Sequence, residues 1–160
     1  MKGTVFKKSH APILLFCALC FLGGFPGCSL PRIIVLDDPL TFEEHLHLGL
    51  AYEKRGELDP AIKEYKLASK KIPLAYLYLG NVYFQKKKLA EAEKYYKEAI
   101  KKAPSNADAH NNLAWLYYTK KENLDEAKGL VLKALELDPS KGDIYRDTLK
   151  KIEKCKTSDK

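Results

Sequence analysis

From Phe42 onward, apolar residues return every three or four positions, the period of a helix with one buried face. Leu48, Gly49 and Tyr52 share one such face, and Leu58, Ala61, Ile62, Tyr65, Ala68 and Ile72 share another. The arrangement occurs three times. Leu48-Gly49-x-x-Tyr52 precedes Ala61, Tyr65, Ala68 and Pro73; Leu79-Gly80-x-x-Tyr83 precedes Ala92, Tyr96, Ala99 and Pro104; Leu113-Ala114-x-x-Tyr117 precedes Ala127, Val131, Ala134 and Pro139. The pattern predicts helices over about 42–55, 58–71, 74–86, 89–102, 107–120 and 124–137, and a seventh over about 143–156. Thr41-x-x-Glu44 reads as a capping box at the start of the first helix, and Gly56 closes that helix and opens the turn. A helical hairpin with one apolar face cannot bury it alone, so the copies must stack.

Each recurrent residue has a packing reason. Gly49, Gly80 and Ala114 stand where paired helices approach most closely, and Ala61, Ala92 and Ala127 accept a large side chain from the neighbouring helix. Tyr52, Tyr83 and Tyr117 fill the space between the two helices, and the prolines stop the second helix of each pair. This set resembles the tetratricopeptide repeat family over about residues 42–156. The resemblance implies an all-α fold, a right-handed superhelical solenoid of three hairpins at about 42–72, 73–104 and 107–139, with 143–156 as a capping helix and 157–160 as a disordered tail. Lys150, Lys151, Glu153, Lys154 and Lys156 give the last helix the wet outer face expected of a cap on a short, closed array. Four departures stand out. Gly49 to Gly80 spans 31 residues, against a family period of about 34, and the missing residues are expected at Ile72-Pro73-Leu74, making the first connection tight. The third copy carries one extra residue around Lys121-Glu122-Asn123, and Val131 replaces an aromatic residue. His45 and His110 stand where the family often has Trp.

The resemblance also implies a binding surface, because in this family the first helix of each hairpin lines a concave groove. With Leu48, Leu79 and Leu113 on the packing face, the groove face is offset by about one position. It comprises Leu46, Leu50 and Glu53; Leu77, Asn81 and Phe84; and Asn111, Trp115 and Tyr118, continued on the last helix by Arg146 and Lys150. Aromatic anchors beside amides suit an extended or helical peptide segment. The alternative is that Trp115 and Phe84 pack against the next helix and form no site. The carboxylate-clamp subtype has a Lys-x-x-x-Asn pair in its first repeat; Leu46 and Leu50 occupy that place, so chaperone C-terminal carboxylates are not the expected ligand.

The chain begins differently. Lys2, Lys7 and Lys8 precede an apolar run from Ala11 to Phe25, too short for a comfortable membrane span, so 1–27 reads as a secretory signal. Phe25-Pro26-Gly27-Cys28 resembles the lipobox of bacterial lipoproteins, in which the cysteine is acylated and becomes the new N-terminus. Phe25 and Pro26 depart from the usual residues. The alternative is an uncut signal anchor, which Pro26 and Pro31 oppose. The resemblance implies lipid on Cys28, and Ser29 after it implies export to an outer membrane. Residues 28–41 then form a tether, whose Ile33-Ile34-Val35-Leu36 run is too apolar for a solvated linker. Cys17-x-x-Cys20 lies within the apolar leader, which leaves Cys28 and Cys155 in the mature chain and no intramolecular disulfide framework.

Charge and composition exclude more than they assign. The formal charge is +7, but residues 28–160 carry 25 bases against 21 acids, alternating along helix faces, so no nucleic-acid footprint is expected. His45-x-His47 with Glu43 and Glu44 lacks the one-face spacing of a metal site. No phosphate loop, nucleophile elbow or paired-carboxylate motif occurs, so neither an enzyme nor a cofactor is expected. The reading is a membrane-anchored adaptor or assembly factor of the bacterial cell envelope, facing the periplasm from the outer membrane, with an envelope protein or peptide segment as partner. It resembles small repeat lipoproteins such as pilotins and the adaptors of envelope proteases or cell-wall enzymes. Self-association through the tyrosine-rich convex face or the last helix, giving a homo-oligomer, is the alternative.

Overall fold

The computed structural model describes residues 38–158. The leader and residues 28–37 of the tether, Cys28 among them, lie outside the described residues. Seven α-helices and one short 3₁₀ turn occur among the described residues: α1 (Phe42–Lys54), α2 (Leu58–Ala68), α3 (Leu74–Gln85), α4 (Leu89–Lys102), α5 (Ala107–Lys120), α6 (Leu124–Leu137), the turn Pro139–Lys141, and α7 (Gly142–Ser158). Helix α1 pairs with α2, α3 with α4 and α5 with α6, and α2–α3, α4–α5 and α6–α7 contacts join the pairs into an all-α solenoid. Helix α3 also touches α5, and α5 touches α7, so the first helices of successive hairpins form an inner row. No described helix is long and apolar enough to cross a membrane.

The helix ends follow from local chemistry. Glu44 N–H donates to Thr41 Oγ1 at 3.2 Å, and Thr41 N–H donates to Glu44 Oε2 at 2.8 Å, a complete capping box. That backbone donation holds the Glu44 carboxyl below the usual carboxylate range. At the other end of each first helix one closure repeats. The N–H of Glu57, Lys88 and Glu122 donates to the carbonyl of Tyr52, Tyr83 and Tyr117 respectively, at 2.9, 2.9 and 3.1 Å. This closure requires a left-handed residue just before the donor. Gly56 supplies it at φ 77°, but Lys87 at φ 60° and Lys121 at φ 56° do so without glycine's freedom. The extra residue of the third turn is Asn123, also left-handed at φ 50°.

The short first period is absorbed elsewhere than expected. The connection from α2 to α3, Ser69 to Pro73, is one residue longer than that from α4 to α5. The deficit lies in α2, which has 11 residues where α4 and α6 have 14. Lys70 N–H and Lys71 N–H turn to carbonyls three residues back, Leu67 at 3.3 Å and Ala68 at 3.1 Å, so the α-helical ladder of α2 stops there, and Ile72 follows just before Pro73, a position that disfavours the helical region.

Packing within the first two hairpins rests on a ring against a glycine. A methyl group on Gly49 would lie 2.5 Å from the Tyr65 ring, and one on Gly80 would overlap the Tyr96 ring still more. Both tyrosines are buried, which stabilises the fold by about 2–3 kcal/mol each. At the corresponding positions of the third hairpin, Ala114 and Val131 are both fully buried. The apolar residues form two clusters: one of Ala61, Ile62, Tyr65, Leu79 and Val82, and a larger one that runs from Leu77 to Ile152. Helix α3 contributes to both and carries no charged residue in its span.

Polar groups fix the remaining joints. His45 is buried, with Nδ1 2.7 Å from Glu64 of α2 and Nε2 3.2 Å from Asp38, while His47 faces solvent. Between α4 and α5, Glu93 accepts from Lys97 at 2.8 Å, Lys120 at 3.0 Å and the Tyr117 hydroxyl at 3.3 Å. Between α5 and α7, Asp108 accepts from Lys141 at 2.6 Å and from the Tyr145 hydroxyl at 2.8 Å.

Candidate functional site

The inner row presents its polar groups through helical spacing. Asn81, Phe84 and Gln85 stand at i, i+3 and i+4 on α3, so they share a face. Asn112 and Trp115 stand at i and i+3 on α5, and Glu53 is near the end of α1. These six, with Tyr96 beneath them, line an open cleft of about 300 Å³.

The floor is ordered from below. The Tyr65 hydroxyl donates to Glu53 at 2.7 Å, and Gln85 Nε2 donates to the same carboxylate at 2.6 Å. The Tyr96 hydroxyl donates to Asn81 Oδ1 at 3.0 Å, and Asn112 Nδ2 donates to that oxygen at 2.9 Å. Burial raises the pKa of both tyrosines, and the negative charge of Glu53 adds to it, so both hydroxyls stay protonated donors. Both bonds to Asn81 arrive at its oxygen, which leaves the Nδ2 hydrogens for an incoming acceptor. Trp115 adds an aromatic wall and tilts against Tyr118 at 5.1 Å between ring centroids. Lys151 of α7 stands 4.8 Å above the Trp115 ring, within cation–π range. Amide donors beside exposed ring faces can hold the backbone and an apolar side chain of an extended chain.

The expected groove residues divide. Glu53, Asn81, Phe84 and Trp115 line the cleft, and Tyr118 adjoins it through Trp115. Leu46 and Leu50 are half-buried against the α2–α3 cluster, and Leu77 is 5% exposed within the larger core. Asn111 is 8% exposed, its Oδ1 has no hydrogen-bond partner, and the neighbouring Asn112 stands on the floor in its place. Leu46, Leu77 and Asn111 occupy one repeat position, and that row faces the adjoining helices, as the α3–α5 contact requires. Arg146 is exposed and paired with Asp143 at 2.7 Å, and Lys150 is exposed outside the cleft; the lysine that reaches Trp115 is Lys151. The sequence reading missed Gln85, Tyr96, Asn112 and Lys151. Asn112 carried a signal, since it lies one helical turn before Trp115, the repeat equivalent of Asn81, and Gln85 lies one helical turn after Asn81.

The family model for the tetratricopeptide repeat matches residues 46–107 and again 77–141, together more than half of the chain. No curated protein sequence matches the chain. Among solved structures, the first TPR of Spaghetti (RPAP3) bound to the HSP90 peptide SRMEEVD is similar, with a TM-score of 0.67 and 26% identity, over 75% of this chain and 96% of that one. The NMR structure of the first TPR domain of human RPAP3 gives 0.67 and 26%, over 73% and 93%. The TPR2B domain of yeast Sti1, in its pHsp70 complex, gives 0.67 at 19% identity, over 71% and 96%, a likeness of fold.

Proposed function

From the premise that this chain belongs to the tetratricopeptide repeat family, a family of non-catalytic scaffolds for protein–protein interaction, we propose that its inner row binds an extended peptide segment of a partner protein in the cell envelope. The observation that carries this reading is the cleft itself. Glu53, Asn81 and Asn112 are held in place by tyrosines and by each other, while Phe84 and Trp115 stay partly exposed beside them. Side chains fixed before a ligand arrives lose less entropy on binding it, which favours a recognition role over incidental surface polarity. The RPAP3 domain, 26% identical, holds a short peptide, which supports the same class of ligand here.

The envelope setting is the second part of the proposal and rests on the leader. Residues 1–27 carry the features of a secretory signal, and lipid on Cys28 would hold the repeat domain at a membrane through a short tether, with the outer membrane favoured by Ser29. Two chains or more on one cysteine region make such anchoring durable, since each buried methylene adds about 0.8 kcal/mol. The protein would then act as an adaptor or assembly factor for the envelope protein whose segment it holds.

Affinity capture from membranes with the full-length protein, compared with an Asn81→Ala plus Trp115→Ala variant, tests the groove. Loss of the captured partner in the variant is expected, and equal recovery sinks the groove reading. Mass spectrometry of the mature N-terminus tests the anchor: an acylated Cys28 is expected, and an intact Met1 removes it.

A further inference from the structure

Beyond Trp115 the inner row opens into a second cleft. The end of α5 and the last turns of α7 enclose about 520 Å³, lined by Tyr118, Thr119, Lys121, Lys151, Lys154 and Cys155. No acidic side chain lines it. Lys151 is shared between Asp147, at 2.7 Å, and the Trp115 ring. Lys121 and Lys154 have no carboxylate partner among the described residues. Helix dipoles favour cations at helix C-termini, which accounts for Lys121 at the end of α5 but not for Lys151 and Lys154, which lie before the last turn of α7. They do not account for three ammonium groups from two helices around one cleft, where their fields add.

The two clefts adjoin through side chains in contact: Trp115 lines the first, Tyr118 and Lys151 line the second, the two rings are 5.1 Å apart, and the lysine stands 4.8 Å from the tryptophan ring. Charge gives the combined surface a direction: Glu53 lies at the α1 end of the floor, and the three lysines lie at the α7 end. A segment with carboxylates at one end therefore fits one way round. The lysine cleft is wider than a single phosphate needs, and it offers separated point charges rather than the planar forks of arginine or a ring of backbone N–H groups. Two or three carboxylate side chains match it better.

We propose that this cleft receives the side-chain carboxylates of an acidic run in the partner segment, adjoining the part that lies over Phe84 and Trp115. The proposal rests on the peptide-groove reading above and adds to it the partner's charge and orientation. It requires no free C-terminal carboxylate.

The chain contains one tryptophan, and Trp115 touches Lys151 of the cleft, so its fluorescence reports occupancy. The probe is hexaglutamate acetylated at one end and amidated at the other, titrated into the full-length protein. A saturable change in Trp115 emission is expected. Lys121→Gln plus Lys154→Gln weakens it about 10-fold or more, and added salt weakens it further. Lys70→Gln plus Lys71→Gln, which removes the same charge at the α2–α3 turn, leaves it within about 2-fold, since distant charges are screened. The proposal is overturned by an absent or non-saturable response, by equal affinity in the Lys121/Lys154 variant, by equal weakening in the Lys70/Lys71 variant, or by an equal response to inorganic phosphate at matched ionic strength. Asn81→Ala separates the two readings. If it abolishes partner capture while hexaglutamate fails to bind, the groove stands and the lysine cleft falls; if hexaglutamate binds and partner capture is unchanged, the reverse holds.

Discussion

The hairpins α1–α2 and α3–α4 hold their helices together differently from α5–α6. In the first two, a tyrosine ring lies against a glycine, and the hydroxyl of that tyrosine continues through to the groove floor, where it meets Glu53 or Asn81. In the third, Ala114 and Val131 occupy those positions, no hydroxyl crosses, and the floor above is aromatic, with Trp115 against Tyr118. One residue thus links packing to recognition. The ring fills the space between the helices, and its hydroxyl sets the polarity of the surface on the far side. Where valine replaces it, the polar half of the floor gives way to the aromatic half.

The largest test attacks the size match. Gly80→Ala is expected to destabilise the protein by about 2–3 kcal/mol in urea unfolding, because the new methyl overlaps the Tyr96 ring. Adding Tyr96→Val converts the pair to the alanine–valine pair of the third hairpin, and the double variant is expected to recover at least about 1 kcal/mol relative to the sum of the single changes. Strict additivity breaks the comparison. Tyr96→Phe is milder: it keeps the ring and removes the hydroxyl, at about 1 kcal/mol. The side-chain amide resonances of Asn81 are expected to shift in that variant, and unmoved resonances would show that the floor does not depend on the tyrosine beneath it.

A smaller effect probes the seam between the two kinds of hairpin. Burial pushes the Glu93 carboxyl up, but donation from Lys97 and Lys120 outweighs it and leaves the group below its ordinary value of 4.5. A folded pKa below the unfolded one means the stabilisation is present above that range and is lost as pH falls through the lowered value. Glu93→Gln is therefore expected to cost about 1 kcal/mol near neutral pH, with thermal melts of the two proteins converging below pH 4.5. A gap that stays constant down to pH 3 (roughly the lower limit of the carboxylate range) would assign the loss to something other than charge. The smallest effect concerns the turns. Lys87→Gly is expected to stabilise by about 0.5 kcal/mol, since it relieves the left-handed backbone, whereas Gly56→Ala costs about 1 kcal/mol at the equivalent site.

Much of this was legible in the chain. The helical period, the capping box at Thr41 and Glu44, and the recurrent Gly, Ala and Tyr positions report local chemistry that one sequence carries. Three features were not. The left-handed residue that closes each first helix is marked by glycine only at Gly56; at Lys87 it lies within a run of three lysines with no turn signal. The shortened period looks the same in sequence whether the residues are missing from a connection or from a helix, and only packing puts them in α2. The floor was misjudged at Asn111 because neighbouring residues on a helix point about 100° apart, so one position decides between core and cleft. The lysine cleft was invisible for a related reason: Lys121 and Lys154 are far apart in the chain and meet only when α7 packs against α5.

Asn123 gives the third turn a property the other two lack. The bond from Glu122 N–H to the Tyr117 carbonyl is complete before Asn123 enters the chain, and α6 starts only after it. In the first two turns, α2 and α4 start immediately after the residue that makes the equivalent bond. The added residue is engaged as well: its carbonyl accepts from Ala127 N–H at 2.9 Å, so closing one helix and opening the next, which Glu57 and Lys88 each do alone, is divided here between Glu122 and Asn123. An insertion between Glu122 and Asn123 interrupts neither of these bonds, whereas in the first two turns any added residue separates a closure from a cap that one residue serves, so the third joint is where the array tolerates a longer loop.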